Sequence, residues 1–136
     1  MPFDFHWHDN EHTIIRIDIH GDTTWAEYHQ TMNQVIKEVE SATHRIDLIL
    51  NDPDAKMPPG SPMPHIKNTA QKLTTYPNMG VIVVVSSRSG STLVKMFVSI
   101  VYRIYGIDTR IIGEFDSTLE EAEASIARER VKKASI

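Results

Sequence analysis

The chain has 136 residues, no cysteine and a formal net charge of −4, which is length enough for one domain, residues 1–136, with a substantial hydrophobic core. The lack of cysteine excludes disulfides, thiolate metal sites and cysteine nucleophiles, and makes a reducing, cytoplasmic setting the expectation. Lysine and arginine are scattered rather than clustered, which argues against nucleic acid as a partner. No apolar run approaches the roughly 20 residues that span a bilayer, and the opening MPFDFHWHDNEH has none of the features of a signal peptide, so no membrane span is expected.

Phe3, Phe5 and Trp7 alternate with Asp4, His6 and His8, a period of two that describes a half-buried strand. After a turn at residues 9–12 a second alternation sets Ile15, Ile17 and Ile19 against Ile14, Arg16 and Asp18, so the two runs predict an antiparallel hairpin. Thr24 followed by Glu27 makes a capping box, and Trp25, Tyr28, Met32, Val35, Ile36 and Val39 then recur at helical spacing, which predicts a helix over 24–41. Residues 45–51, RIDLILN, form the third alternating strand, with Ile46, Leu48 and Leu50 on one face and Arg45, Asp47 and Ile49 on the other.

Residues 52–64 carry five prolines and a glycine, which postpones regular structure until a second helix starts near Pro64, and that helix ends at Tyr76-Pro77. The chain then enters VIVVV at 81–85, the most apolar strand, which reads as the centre of the sheet. Ser86, Ser87, Arg88, Ser89, Gly90 and Ser91 follow directly and lead into a broadly apolar third helix over 91–105, with Gly106 at its end. A fifth strand is predicted over 110–115. A fourth helix follows, capped by Asp116, Ser117 or Thr118, with Leu119, Ala122 and Ile126 as its inner stripe and charges that complement its dipole.

This order predicts an α/β fold: a single five-stranded mixed sheet, order 1-2-3-4-5, with strand 1 antiparallel. Right-handed crossovers advancing in one direction put their helices on one side, so four helices mainly on one face are expected. The polar faces of the first three strands (Asp4, His6, His8; Arg16, Asp18; Arg45, Asp47) then suit an uncovered side. On that side Ile14 and Ile49, with Phe3 or Trp7, are apolar enough to suggest a homodimer through the open face.

An N-terminal hairpin followed by turns of β-α superhelix resembles the STAS domain, the sulphate-transporter and anti-sigma-factor-antagonist fold, and the related SEC14-like proteins. The local stretches that carry the resemblance are Thr24-Trp25 with Tyr28, residues 44–50, residues 77–85 and Ser117-Thr118-Leu119-Glu120-Glu121-Ala122, which are similar to bacterial STAS-like proteins. The resemblance implies a non-enzymatic regulatory domain that binds a protein partner. It also implies a phosphorylated hydroxyl between the third strand and the second helix. There the relatives have a short turn, this chain has residues 51–64, and Ser61 is the loop's only hydroxyl. The SEC14-like side of the resemblance implies the alternative of a carrier for a lipid-like or other apolar molecule.

The residues themselves point to the carboxyl end of strands three and four. The Ser86–Ser91 turn, with Arg88 and the free N–H groups of a helix start, suits a small anionic ligand, and the alternative is a plain capped turn. Ser61 with its loop lies beside it in this arrangement, either as a contact surface or as a passive connection. His6, His8 and His12 raise a metal site, although His-x-His on a solvated strand is ordinary polar alternation, so no metal or other cofactor is expected. Arg16, Asp18, Arg45 and Asp47 read as cross-strand charge pairs. No serine sits in a nucleophile elbow, and no hydrolytic constellation is legible.

Overall fold

The structure is a computed structural model in which residues 3–52, 63–73, 75–85, 114–116 and 119–134 are described. It is an α/β fold with one open, mixed sheet. Strand β1 (Phe3–Trp7) pairs antiparallel with β2 (Ile14–Ile19), and β2, β3 (Ile46–Asn51) and β4 (Met79–Val85) run parallel in the order β1-β2-β3-β4. A three-residue strand β5 (Glu114–Asp116) continues the sheet in parallel beyond β4. The expected strand over 110–115 is therefore represented by its last two residues and Asp116, while 110–113 and the expected helix over 91–105 lie outside the described residues.

Helix α1 (Trp25–Ser41) starts where its capping box places it: Glu27 donates its backbone N–H to Thr24 Oγ1 at 3.2 Å. Helix α2 runs over Met63–Leu73 and stops short of Tyr76. Both pack on one face of the sheet. There Ile15, Ile17, Ile19, Ile46, Leu48, Leu50 and Ile82 form one core with Tyr28, Met32, Val35, Val39 and Leu73.

Helix α3 (Leu119–Ala134) lies on the other side. Its Ala122 and Ile126, with Leu119 partly buried, cover Ile14, Ile49, Val81, Val83 and Val85 in a second core. This corrects the expectation of an uncovered face: of the expected four helices, α1 and α2 share one face, α3 takes the other, and the third lies outside the described residues. The handedness rule governs a helix that links two parallel strands, and among the described elements α3 follows β5 and links no two strands, so it is free to take the opposite side. Ile14 and Ile49, the residues on which an open-face dimer was expected to rest, are buried beneath α3.

Where α3 meets the sheet, β4 carries one residue too many. Ile46 pairs with Met79 but Leu48 pairs with Ile82, so Gly80 and Val81 together stand opposite Asp47. The Val81 N–H donates to Asp47 Oδ1 at 2.8 Å, which satisfies a donor that the irregular ladder leaves over. A Cβ at Gly80 would overlap Asp47 Oδ1 and stand 2.6 Å from Arg45 Nε, so glycine is required here for space.

Candidate functional site

Because β2, β3 and β4 are parallel, their carboxyl ends meet at one edge, and α1 and α2 begin there. Asp52, 2% exposed, donates its backbone N–H to the Val85 carbonyl at 2.9 Å, which ties together the roots of the chain segments that leave β3 and β4. Ser61 and Ser86, Ser87, Arg88, Ser89, Gly90 and Ser91 belong to those segments and lie outside the described residues.

The described part of this edge holds an aromatic and imidazole cluster that sequence reading missed. His65, in the first turn of α2, stacks on Trp25 of α1 with ring centroids 4.2 Å apart and planes 5° from parallel. His29 Nε2 and His65 Nδ1 are 2.7 Å apart, so one ring nitrogen donates a proton and the other accepts it. Burial, followed by the positive fields of His65 and Lys72, holds His29 below the ordinary histidine value of 6.5. Beneath the pair the buried Tyr28 hydroxyl donates to Thr69 Oγ1 at 2.8 Å, and Thr69 donates to the His65 carbonyl at 3.2 Å. Burial pushes the Tyr28 phenol up to about 12, although the Thr69 hydrogen bond pulls the other way. The signal available in the sequence was positional: both histidines fall in the opening turns of helices that follow adjacent parallel strands.

No protein-family model, curated protein or solved structure matches the chain.

A second polar region lies on the α3 side of β1 and β2. Asp18 is its hub: Arg16 Nε and Nη2 stand 3.2 and 3.1 Å from Oδ2, His6 Nε2 lies 3.1 Å from the same oxygen, and Asn51 Nδ2 donates to Oδ1 at 2.7 Å. His8 bridges from this hub to α3, with Nδ1 3.3 Å from Arg16 Nη1 and Nε2 2.5 Å from Glu123 Oε1. Arg16 can only donate, so Nδ1 accepts and the proton sits on Nε2, facing Glu123. His12 is on the opposite side, stacked on Trp7 at 4.6 Å, so the three histidines do not converge. Among the described residues no three side chains of metal-ligating type form a group.

The charge pairs also differ from expectation. Arg16 with Asp18 and Arg45 with Asp47 pair along their own strands, two residues apart, rather than across strands. Asp47 is wholly buried, held by Arg45 at 3.0 Å and by Arg130 of α3 at 2.7 Å. Arg130 also donates to the Thr13 carbonyl and hydroxyl at 3.2 and 3.1 Å, and the Thr13 hydroxyl donates to Asp9. Burial would raise the Asp9 carboxyl, but hydrogen bonds from the Thr13 hydroxyl and the Ile14 and Thr13 N–H groups outweigh it and hold the group below 3.8. A cavity of about 350 Å³ runs between β1 and α1, and one of about 520 Å³ is lined by His8, Asp9, Ile14, Glu123, Ile126, Ala127 and Arg130. No helix among the described residues is long and apolar enough to cross a membrane.

Proposed function

We propose that the chain is a non-enzymatic, STAS-like binding and regulatory domain that engages a protein partner or a small anionic ligand at the carboxyl edge of β3 and β4. The observation that carries this reading is the convergence of the parallel strand ends with the starts of α1 and α2, where the positive ends of the helix dipoles favour negative charge. The Asp52–Val85 hydrogen bond supports it by joining the two residues from which the candidate segments leave β3 and β4. On this reading Ser86, Ser87, Arg88, Ser89, Gly90 and Ser91 contact the ligand, and Ser61, when phosphorylated, changes partner affinity by adding nearly two negative charges beside the start of α2.

Amide chemical-shift mapping with inorganic phosphate tests the anion reading. Shifts concentrated at 61 and 86–91, and abolished in Arg88→Glu, are expected. Shifts confined to the His6–Arg16–Asp18 face would move the site to the other side of the sheet. For the partner reading, a photo-crosslinking residue at position 87 should trap a protein that the same residue at exposed Lys37 does not, and Ser61→Asp should alter its capture. Equal trapping from both positions overturns the assignment, and a lipid retained through native mass spectrometry would replace it with the carrier reading.

A further inference from the structure

We propose that two copies of the chain pair antiparallel through their β1 strands, centred on Phe5, and join their sheets edge to edge. Strand β1 ends the sheet, with no described element beyond it. The His8 N–H donates to the Ile14 carbonyl, and Asp4 and His6 fall opposite Asp18 and Arg16, so by alternation Asp4, His6 and His8 direct their backbone groups at β2. Phe3, Phe5 and Trp7 therefore direct theirs outward, where a further strand finds them.

The sequence of this edge, FDFHW, is complementary to itself in one register. Side-chain alternation demands that odd positions meet odd ones, since a one-residue slip would set Phe3, Phe5 and Trp7 against charges. Of the remaining two-fold registers, one centred on Asp4 puts two carboxylates face to face, and one centred on His6 sets the two imidazoles together and shortens the overlap. Centring on Phe5 pairs all five residues. It sets Phe3 against Trp7, Phe5 against Phe5, and Asp4 against His6 on the opposite face. It also makes Phe5 the hydrogen-bonded pair that the outward direction of its backbone requires.

The surroundings fit such an occupant. The cavity of about 350 Å³ beside β1 is floored by Phe3 and Phe5 and walled by Glu27, Gln30, Thr31 and Gln34 of α1. Phe5 and Trp7 are only half-buried, with their rings edge to face at 5.7 Å. A partner strand brings its own Phe5 and Trp7 to this cavity and covers the aromatic edge that a lone copy leaves to water.

The chain has no cysteine, so introduced thiols report the register without interference. In the proposed pairing residues 4 and 6 of different copies form a non-hydrogen-bonded pair about 4.5 Å apart at Cα, within reach of a disulfide, whereas two residues at position 4 lie on a diagonal of about 7–8 Å. Mixing Asp4→Cys with a size-tagged His6→Cys chain under mild oxidation should give mainly the mixed dimer, with each variant alone linking poorly. A statistical mixture of products overturns the register. Sedimentation velocity of the unmodified chain should show dimer, and Phe5→Pro, which removes only an outward N–H from the ladder, should weaken it by at least about tenfold. If Phe5→Pro disturbs folding, seen by circular dichroism, the cysteine mixture still decides. An unmodified chain that stays monomeric at high micromolar concentration overturns self-pairing and leaves the groove to a strand from another protein.

Discussion

The two faces of the sheet are built from the same strands at alternate positions, yet they bury their residues by different means. On the α1/α2 side the contacts are almost wholly apolar, from Phe3 through Ile15, Leu48 and Ile82, and the principal polar contact is the Tyr28–Thr69 hydrogen bond. On the α3 side an apolar patch over β3 and β4 borders a charged field over β1 and β2, and the join is made by a buried carboxylate, Asp47, held between two arginines. A face that reads as polar in sequence can thus be a covered face, provided that each buried charge is paired. Among the described residues no buried side-chain nitrogen or oxygen lacks a partner.

The sharpest way to break that contrast is Asp47→Ala. It takes the carboxylate away from Arg45, Arg130 and the Val81 N–H, of which Arg130 keeps its bonds to Thr13, and breaking a buried pair from one side costs about 3–5 kcal/mol. The two arginines keep some contact with water, which places the expected loss near the lower end, about 3 kcal/mol, in urea denaturation. A loss under about 1 kcal/mol, within the range of an exposed pair, would show that Asp47 is not a buried anchor.

Gly80→Ala should cost less, about 1–3 kcal/mol, because its new methyl must displace the Asp47 carboxylate. The same change in an Asp47→Ala background should cost much less than that, since the obstructing oxygen is gone. Additive effects would mean that the two positions do not touch.

The smallest effect is on the apolar side and depends on pH. His29 is held below 6.5 in the folded chain, so at acid pH the unfolded chain binds a proton more readily. Its contribution to stability is present above 6.5 and is lost as pH falls. His29→Gln should therefore flatten the acid side of the stability profile while changing stability little above 6.5. An unchanged acid slope would remove His29 from the list of titrating groups.

Much of this was legible from local pattern. The β1–β2 hairpin, the Thr24 cap, the alternation of β3 and the Leu119–Ala122–Ile126 stripe each depend on neighbours within a few residues, and each appears where its period puts it. The side that α3 takes was not legible, because no crossover constrains it. Asp47 read as solvated for a related reason: its strand supplies only Arg45, and its second partner, Arg130, is 83 residues away. The His29–His65 contact has the same character, joining residues 36 apart through the meeting of two helix starts. At the carboxyl edge, Ser61 and Ser86–Ser91 were chosen from composition and position, and they fall outside the described residues.

The central claim, a sheet covered by α1 and α2 on one side and by α3 on the other, is tested most directly by methyl nuclear Overhauser effects from Ile126. Strong cross-peaks from Ile126 to Val81, Val83 or Ile49 are expected, with none to Ile15, Leu48 or Met32. Cross-peaks to the second set would place α3 with the other helices on one face and contradict it.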